Sequence, residues 1–384
     1  MKIDEIRIHP VTLPFRGDFS HSCKKGSFAK NMVVEVIADK GNIEGYGEGA
    51  PRLYVTGETQ ETTAASLKSM VKRNLLPLEI HHVSEIWGFI DRLPGGKEHN
   101  AAVCALEMAL LDALGKAESR CITEYFSQDF STERIFYGAV LPLDSKKRIV
   151  ELCCFVRSLG ISRLKIKLGR DFHQNREILG GVHQIFDGDC EMKTDVNGAW
   201  DRDRALEHIP LLKGYDVGIV EQPMKPMDPE LVGFSQEIRP QQIRLMADES
   251  ACSLAEVEEL VLEGHYDMFN IRLSKCGGFR RSLKIIEFLR AHKIPFQIAC
   301  QLGESGLLSA AGRALSLLCK DAVYHDGSYD DYLLKENITK KNVSFGWRGQ
   351  AGPVGGVGLG VEVDVERLNR LSGSTMGPVS ILKA

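Results

Sequence analysis

The chain has 384 residues, 43% of them hydrophobic and 26% charged, with a formal net charge of -4. That is enough apolar material for a sizeable core and more than one structural unit. The small net charge gives no pull toward nucleic acid or an anionic membrane surface. The ten cysteines are scattered from Cys23 to Cys319 without a CxxC pair, so reduced, buried thiols are expected. The opening MKIDEIRIHPVTLPF has no apolar leader and no later run reaches membrane-spanning length, so a cytoplasmic location is expected.

Alternation of apolar and polar residues predicts strands over about 2–14 and 31–48, the second interrupted by the turn Asp39-Lys40-Gly41-Asn42. Helical periodicity follows, clearest in AAVCALEMALLDALGKAES at 101–119. Residues 1–125 therefore read as an α+β unit.

From there the texture changes. Short β-like runs alternate with amphipathic stretches: FYGAVLPL, RLKIKLG, CEMKTDVNGAW, VGIVEQPM, RLMADES, MFNIRLSKCGG, PFQIACQLGES and AVYHDGSY. Eight such runs at similar spacing predict an α/β fold, a TIM-like (β/α)8 barrel over 126–349 whose last β/α step is modified, its helix short or replaced. Lys167, Asp195, Glu221, Asp248, Arg272, Gln301 and Asp326 recur at intervals of about 24–29 residues, at or near the C-terminal ends of strands two to eight. That end of such a barrel carries the active site.

Within RLKIKLG, Lys165 and Lys167 are two residues apart and so point the same way, opposite Leu164, Ile166 and Leu168. In a barrel that way is the mouth, so both ammonium groups face a pocket. Asp195, Glu221 and Asp248 end three adjacent strands. Converging carboxylates repel unless a cation lies between them, and an all-oxygen set suits Mg²⁺ better than Zn²⁺. Asn197 falls on the same side as Asp195, whereas Glu249, next to Asp248, is expected to point away.

KIK at 165–167, DVNGAW at 195–200, EQP at 221–223, ADES at 247–250 and NIRLSKCGG at 270–278 resemble the enolase superfamily, specifically its muconate lactonizing enzyme subgroup. The resemblance covers nearly the whole chain. GEGAPRLYVTGET at 47–59 and GPVGGVGLGVEVDVERL at 352–368 are similar to the family's capping-domain loop and C-terminal return strand, which implies that 350–384 completes the capping domain. It also implies Mg²⁺ held by Asp195, Glu221 and Asp248, a small-molecule carboxylate as substrate, and a homo-oligomer. In enolase-type sites a base takes the proton beside a carboxylate and Mg²⁺ stabilises the enediolate. Lys167 is then the base, with Lys165 lowering its proton affinity and helping to hold the carboxylate.

The chain departs from the subgroup at the sixth strand, where Arg272 stands in place of a second lysine. Arginine stays protonated, a poor base but a good fixed cation. One-base lyase or cycloisomerase chemistry is the resulting expectation. Epimerisation of a dipeptide or N-acylamino acid is the alternative, and a catalytically silent ligand-binding relative is the reading from another class. Substrate contacts are expected from Asn197, Gln301, Glu304 and Asp326, and from Phe19, His21 and Lys24 in the 17–28 loop, which resembles the family's lid. A dipeptide epimerase would want an acidic pair at the eighth strand to grip an ammonium group, and HDGSYDD matches this in part.

Overall fold

The computed structural model describes residues 1–21, 24–72, 76–373 and 378–383. A long antiparallel hairpin, Ile3–His21 with Lys24–Ala38, opens it, and Ile43–Gly49 pairs with the second strand. Strand Val379–Lys383 returns to the outer edge of the first, with Glu5 opposite Lys383 and Ile8 opposite Val379. The segment 17–28, expected as a loop, mostly continues the hairpin. Pairing slips after Pro14, which has no N–H to give the ladder, and resumes with Phe19 opposite Gly26 and His21 opposite Lys24. The side chains of Phe19, His21 and Lys24 lie outside the described residues.

Behind this sheet runs helix Asn100–Glu118, buried from Asn100 to Gly115. Its all-round apolar sequence is explained by contact on every side. Ala101, Ala105 and Ala109 form one stripe of it, and Gly45, Gly47 and Gly49 form the facing stripe of the third strand. A Cβ at Gly47 would lie 2.1 Å from the Ala105 carbonyl oxygen, and one at Gly49 would lie 2.1 Å from that of Ala101. Small residues on both elements let the two backbones touch.

Eight further strands form a parallel sheet in chain order: Ala139–Leu141, Arg163–Lys167, Glu191–Asp195, Val217–Glu221, Arg244–Ala247, Met268–Arg272, Phe296–Ala299 and Tyr324–His325. A bridge between Tyr137 and His325, with the Gly138 N–H donating to the His325 carbonyl at 2.9 Å, joins the eighth strand to the first. Helices follow strands one to seven, many started by side-chain caps that the sequence supplies: Ser145, Asp171, Asp201, Ser253 and Ser305 each accept a backbone N–H of the first turn. The helix that directly follows the eighth strand is the short Asp330–Leu333, so the last step is short, as expected.

Two acids lock the first unit onto the barrel. Buried Glu48 accepts from the N–H and hydroxyl of Ser305 and from the Leu308 N–H, at the start of helix Gly306–Leu317. Glu107 accepts from the Arg280 N–H, at 2.9 Å, in the first turn of helix Gly278–Ala291. Each puts a carboxylate where a helix leaves N–H groups without partners.

Candidate active site

Register sets the floor of the mouth. Lys167 lies opposite Asp195, and Asp195 opposite Glu221, so three neighbouring strands end in one row of charges. One layer deeper, Lys165 lies opposite Lys193. Asp248 follows the fifth strand directly, Arg272 ends the sixth, Gln301 comes two residues after the seventh and Asp326 one after the eighth.

Asp195, Glu221 and Asp248 are fully buried, and each offers a carboxylate oxygen within 4.8 Å of the others. Sulfur and imidazole are absent from the set, so it presents hard oxygen donors alone, the chemistry that Mg²⁺ takes. Each carboxylate also has its own support. Asp195 accepts from Lys167 and from the Asn197 N–H at 2.9 Å. Glu221 takes Lys165 at 2.7 Å on one oxygen and the Asn270 amide at 2.7 Å on the other. Asp248 takes Arg272 on one oxygen and Lys275 at 3.1 Å on the other. A carboxylate has about four lone-pair sites, so these contacts leave room for a shared cation. The three acids therefore fit the metal.

The two lysines do not share a partner. Lys167 reaches Asp195 and the Asn197 side-chain oxygen at 3.1 Å, while Lys165 reaches Glu221 and Asp326, the latter at 3.0 Å. Burial works against the Lys165 charge, but Glu221 and Asp326 outweigh it and raise its pKa. Lys165 is a firm cation. Burial also opposes ionisation of Asp248, and Arg272 with Lys275 overcomes it, holding that carboxyl below its ordinary range. Arg272 is raised well above its ordinary value because Asp248 and Glu221 outweigh its burial.

One expectation needs correction. Glu249 does not point away: it is buried and accepts from the Asn197 amide at 2.8 Å. The Gln222 side-chain oxygen accepts the N–H groups of both Asp248 and Ser250, which bends the chain there and turns Glu249 inward. Burial, with Asp248 and Asp195 nearby, pushes its pKa up to about 8. Asp326, expected as a substrate contact, lines the cavity with its charge already paired. Lys193 at 2.9 Å and Lys165 at 3.0 Å flank one of its oxygens, and they outweigh burial and hold it ionised.

Lys167, Lys165, Arg272, Asn197, Gln301, Glu304 and Asp326 all line one cavity of about 330 Å³ above the metal triad. Gln301 accepts from Arg272 at 2.9 Å, and its amide nitrogen has no partner among the described residues. Glu304 accepts the Gln301 N–H at 2.6 Å, and burial raises it to about 8. Lys193 and Lys275 were not anticipated as part of the site. Lys193, also bonded to Gln297 at 2.7 Å, stands two residues before Asp195, so the alternation that singled out Lys165 and Lys167 applies equally to it. Lys275, beyond the strand, carried no such signal.

Comparison with known proteins agrees with this geometry. Residues 4–126 match the model of the mandelate racemase / muconate lactonizing enzyme N-terminal domain, and residues 148–368 that of the enolase C-terminal domain-like family. The hydrophobic dipeptide epimerase of Enterococcus faecalis is 26% identical over 313 residues, 81% of this chain and 86% of that protein. The N-succinyl-L-Arg/Lys racemase of Bacillus cereus is 27% identical over 317 residues, 81% of this chain and 83% of that protein. The Enterococcus faecalis epimerase, crystallised with Mg and the dipeptide L-Leu-L-Tyr, superposes with a TM-score of 0.84 at 23% identity over 94% of this chain and 100% of that one. The 2-chloromuconate cycloisomerase of Rhodococcus opacus gives 0.85 at 23% identity over 97% of this chain and 99% of that one. With both of its halves matched and the carboxylate triad at the barrel mouth, the chain belongs to the mandelate racemase / muconate lactonizing enzyme family of the enolase superfamily.

Proposed function

We propose that this enzyme removes the α-proton of a small carboxylate to form an enediolate, with Lys167 as its only base. The observation that carries the reading is the contrast across the mouth. Lys167 ends the second strand and Arg272 the sixth, four strands apart and so facing each other across an eight-stranded barrel. One is an amine able to give and take a proton. The other is a guanidinium held by Asp248 and Gln301 and raised further out of the titrating range.

Bound Mg²⁺ supplies Lewis-acid stabilisation of the negative charge that develops on the substrate carboxylate. The protein's own groups do the rest. Lys165, a permanent cation beneath the same carboxylate, donates to the oxygen on which charge grows. Asn197 positions the Lys167 amine through the 3.1 Å contact, and Glu249 in turn holds Asn197. Arg272 adds fixed positive charge on the opposite face, and Gln301 offers a free amide donor. A proton that leaves toward Lys167 returns on that face or is not returned, so lyase or cycloisomerase outcomes are favoured.

A second reading, epimerisation of a dipeptide or N-acylamino acid, is favoured by the activities of the relatives, which are named as epimerases and racemases. One experiment separates the two. In D₂O, with Mg²⁺ and L-configured dipeptides or N-acylamino acids, the one-base reading expects the α-hydrogen to exchange with retention and no epimer to accumulate, followed by proton NMR and chiral chromatography. Steady inversion at an ordinary turnover rate would replace it with the epimerase reading.

A further inference from the structure

Lys275 is fully buried, so it does not touch a substrate, yet its whole ammonium group is engaged beside the metal triad. Its three N–H groups meet three acceptors: the Asp248 carbonyl at 2.8 Å, an Asp248 carboxylate oxygen at 3.1 Å and the Asn270 carbonyl at 2.5 Å. Asn270 in turn holds Glu221 through its amide. One lysine therefore fastens Asp248, backbone and side chain together, to the sixth strand, and through Asn270 it reaches a second metal ligand.

A long side chain positions its partners only as well as its own backbone is fixed. The backbone of Lys275 lies in the helical turn Leu273–Cys276, and the first unit grips that turn. Asn100, buried at the start of helix Asn100–Glu118, gives the two hydrogens of its amide to the Lys275 carbonyl at 2.6 Å and the Cys252 carbonyl at 2.8 Å. Cys252 comes four residues after Asp248, so this one amide ties the loop after strand five to the turn after strand six. The Asn100 side-chain oxygen accepts from Arg281 at 3.1 Å, which leaves the amide fully bonded. The Ala50 N–H adds a bond to the Ser274 hydroxyl at 2.7 Å. Glycine makes the approach possible. Gly277 has φ 83°, and a Cβ there would lie 2.7 Å from the Asn100 side-chain oxygen.

We propose that Asn100 is a positioning residue for the metal. By fixing Lys275 and the Asp248–Cys252 loop together, it holds Asp248 in the geometry that binds Mg²⁺, so the first unit sets the metal affinity of the barrel. The inference rests on the triad as the Mg²⁺ site and is independent of Lys167 as the base. Asn100 is neutral, so its loss moves Asp248 without changing the charge of the site. Truncating it leaves two buried carbonyls without their donor, and the loops that carry them must shift to find another.

The test titrates MgCl₂ alone into the full-length protein by calorimetry, beside thermal melts in EDTA. Asn100→Ala is expected to weaken Mg²⁺ binding on the order of tenfold, the scale on which the partners of metal ligands act. Ser305→Ala is the comparison. It removes the hydroxyl that donates to Glu48 and caps helix Gly306–Leu317, loosening the same seam at strand seven, and should lower the melting temperature while leaving Mg²⁺ affinity unchanged. Lys275→Met removes the relay, so adding Asn100→Ala to it should weaken binding by less than the same change does in the parent. If Lys275→Met does not fold, the comparison of Asn100→Ala with Ser305→Ala decides alone. Parental or tighter affinity in Asn100→Ala, an equal loss in Ser305→Ala, or full additivity of Asn100→Ala with Lys275→Met overturns the proposal. A parent protein that binds no Mg²⁺ at millimolar concentration overturns it together with the metal site.

Discussion

Two sets of buried acids in this molecule are satisfied by different means. At the barrel mouth Asp195, Glu221, Asp248 and Asp326 each face lysine or arginine nitrogens. At the seam between the two units Glu48 and Glu107 face backbone N–H groups at helix starts, with few cations in reach. Full charges hold Asp248 and Asp326 ionised despite burial, whereas at the seam burial wins and both glutamates are raised, Glu107 to about 8. Glu221 is the exception among those four. Burial, together with Asp195 and Asp248, raises it against the pull of Lys165, which is the signature of a site crowded with anions in want of a further cation.

The largest effect that tests the mouth as chemistry is at the base. Lys167→Ala should slow α-hydrogen exchange by a hundredfold or more, the usual scale for losing a general base, while circular dichroism stays unchanged. Arg272→Lys keeps a cation beside Asp248 but supplies a second amine that can titrate. Chiral chromatography should then detect slow epimer formation that the parent enzyme lacks. Full activity in Lys167→Ala would remove the mouth's chemical role.

Next is the metal. A ligand that binds only the folded state stabilises it by mass action, so Mg²⁺ should raise the melting temperature in a concentration-dependent way. Glu221→Gln replaces one anionic ligand by a neutral one and should abolish that rise in calorimetry. Superimposable traces with and without Mg²⁺ for the parent protein would reduce the triad to structure.

The mouth was far more legible in the sequence than the seam. Strand ends are read by periodicity, and a charged residue closing an apolar run stands out, so Lys167, Asp195, Glu221 and Arg272 were visible together with the barrel. What periodicity does not carry is partner identity. For Asp326 the sequence did not show the lysine that neutralises it, because Lys193 lies on the third strand and Asp326 follows the eighth. Glu249 was misjudged because the bend that Gln222 imposes breaks the alternation just past the strand. The seam acids were unreadable for a related reason: Glu107 sits amid an apolar helix, and its partner, the Arg280 N–H, lies 173 residues away.

Lys193 gives a smaller, sharper effect. Without it, Asp326 would have Lys165 alone and would draw that amine from Glu221. Lys193→Met should lower kcat on the order of tenfold with little change in KM, since residues that orient a metal site typically act on that scale. Lys193→Arg should recover most of the loss. It should also cost stability, because one partner of a buried ion pair is left behind. Loss of stability alone, with kcat intact, would make the lysine a purely structural partner.

The smallest effect belongs to the seam, and it appears as a dependence on pH. Glu107 is fully buried, one of its oxygens has no hydrogen-bond partner among the described residues, and burial raises its pKa from 4.5 to about 8. The folded protein thus holds a proton at Glu107 that the unfolded chain releases above about pH 4.5. Between those values the native state binds more protons than the unfolded state, so this residue's contribution to stability falls as pH rises, by about 1.4 kcal/mol per unit, and levels off above pH 8. Glu107→Gln keeps an oxygen to accept the Arg280 N–H and removes the titration. Its melting temperature relative to the parent should therefore rise steadily from pH 5 to pH 8, by a few degrees in all. A difference that stays flat over that range would mean that the helix start holds Glu107 ionised, as the cations of the mouth hold Asp248, and the contrast between the two regions would fail at this residue.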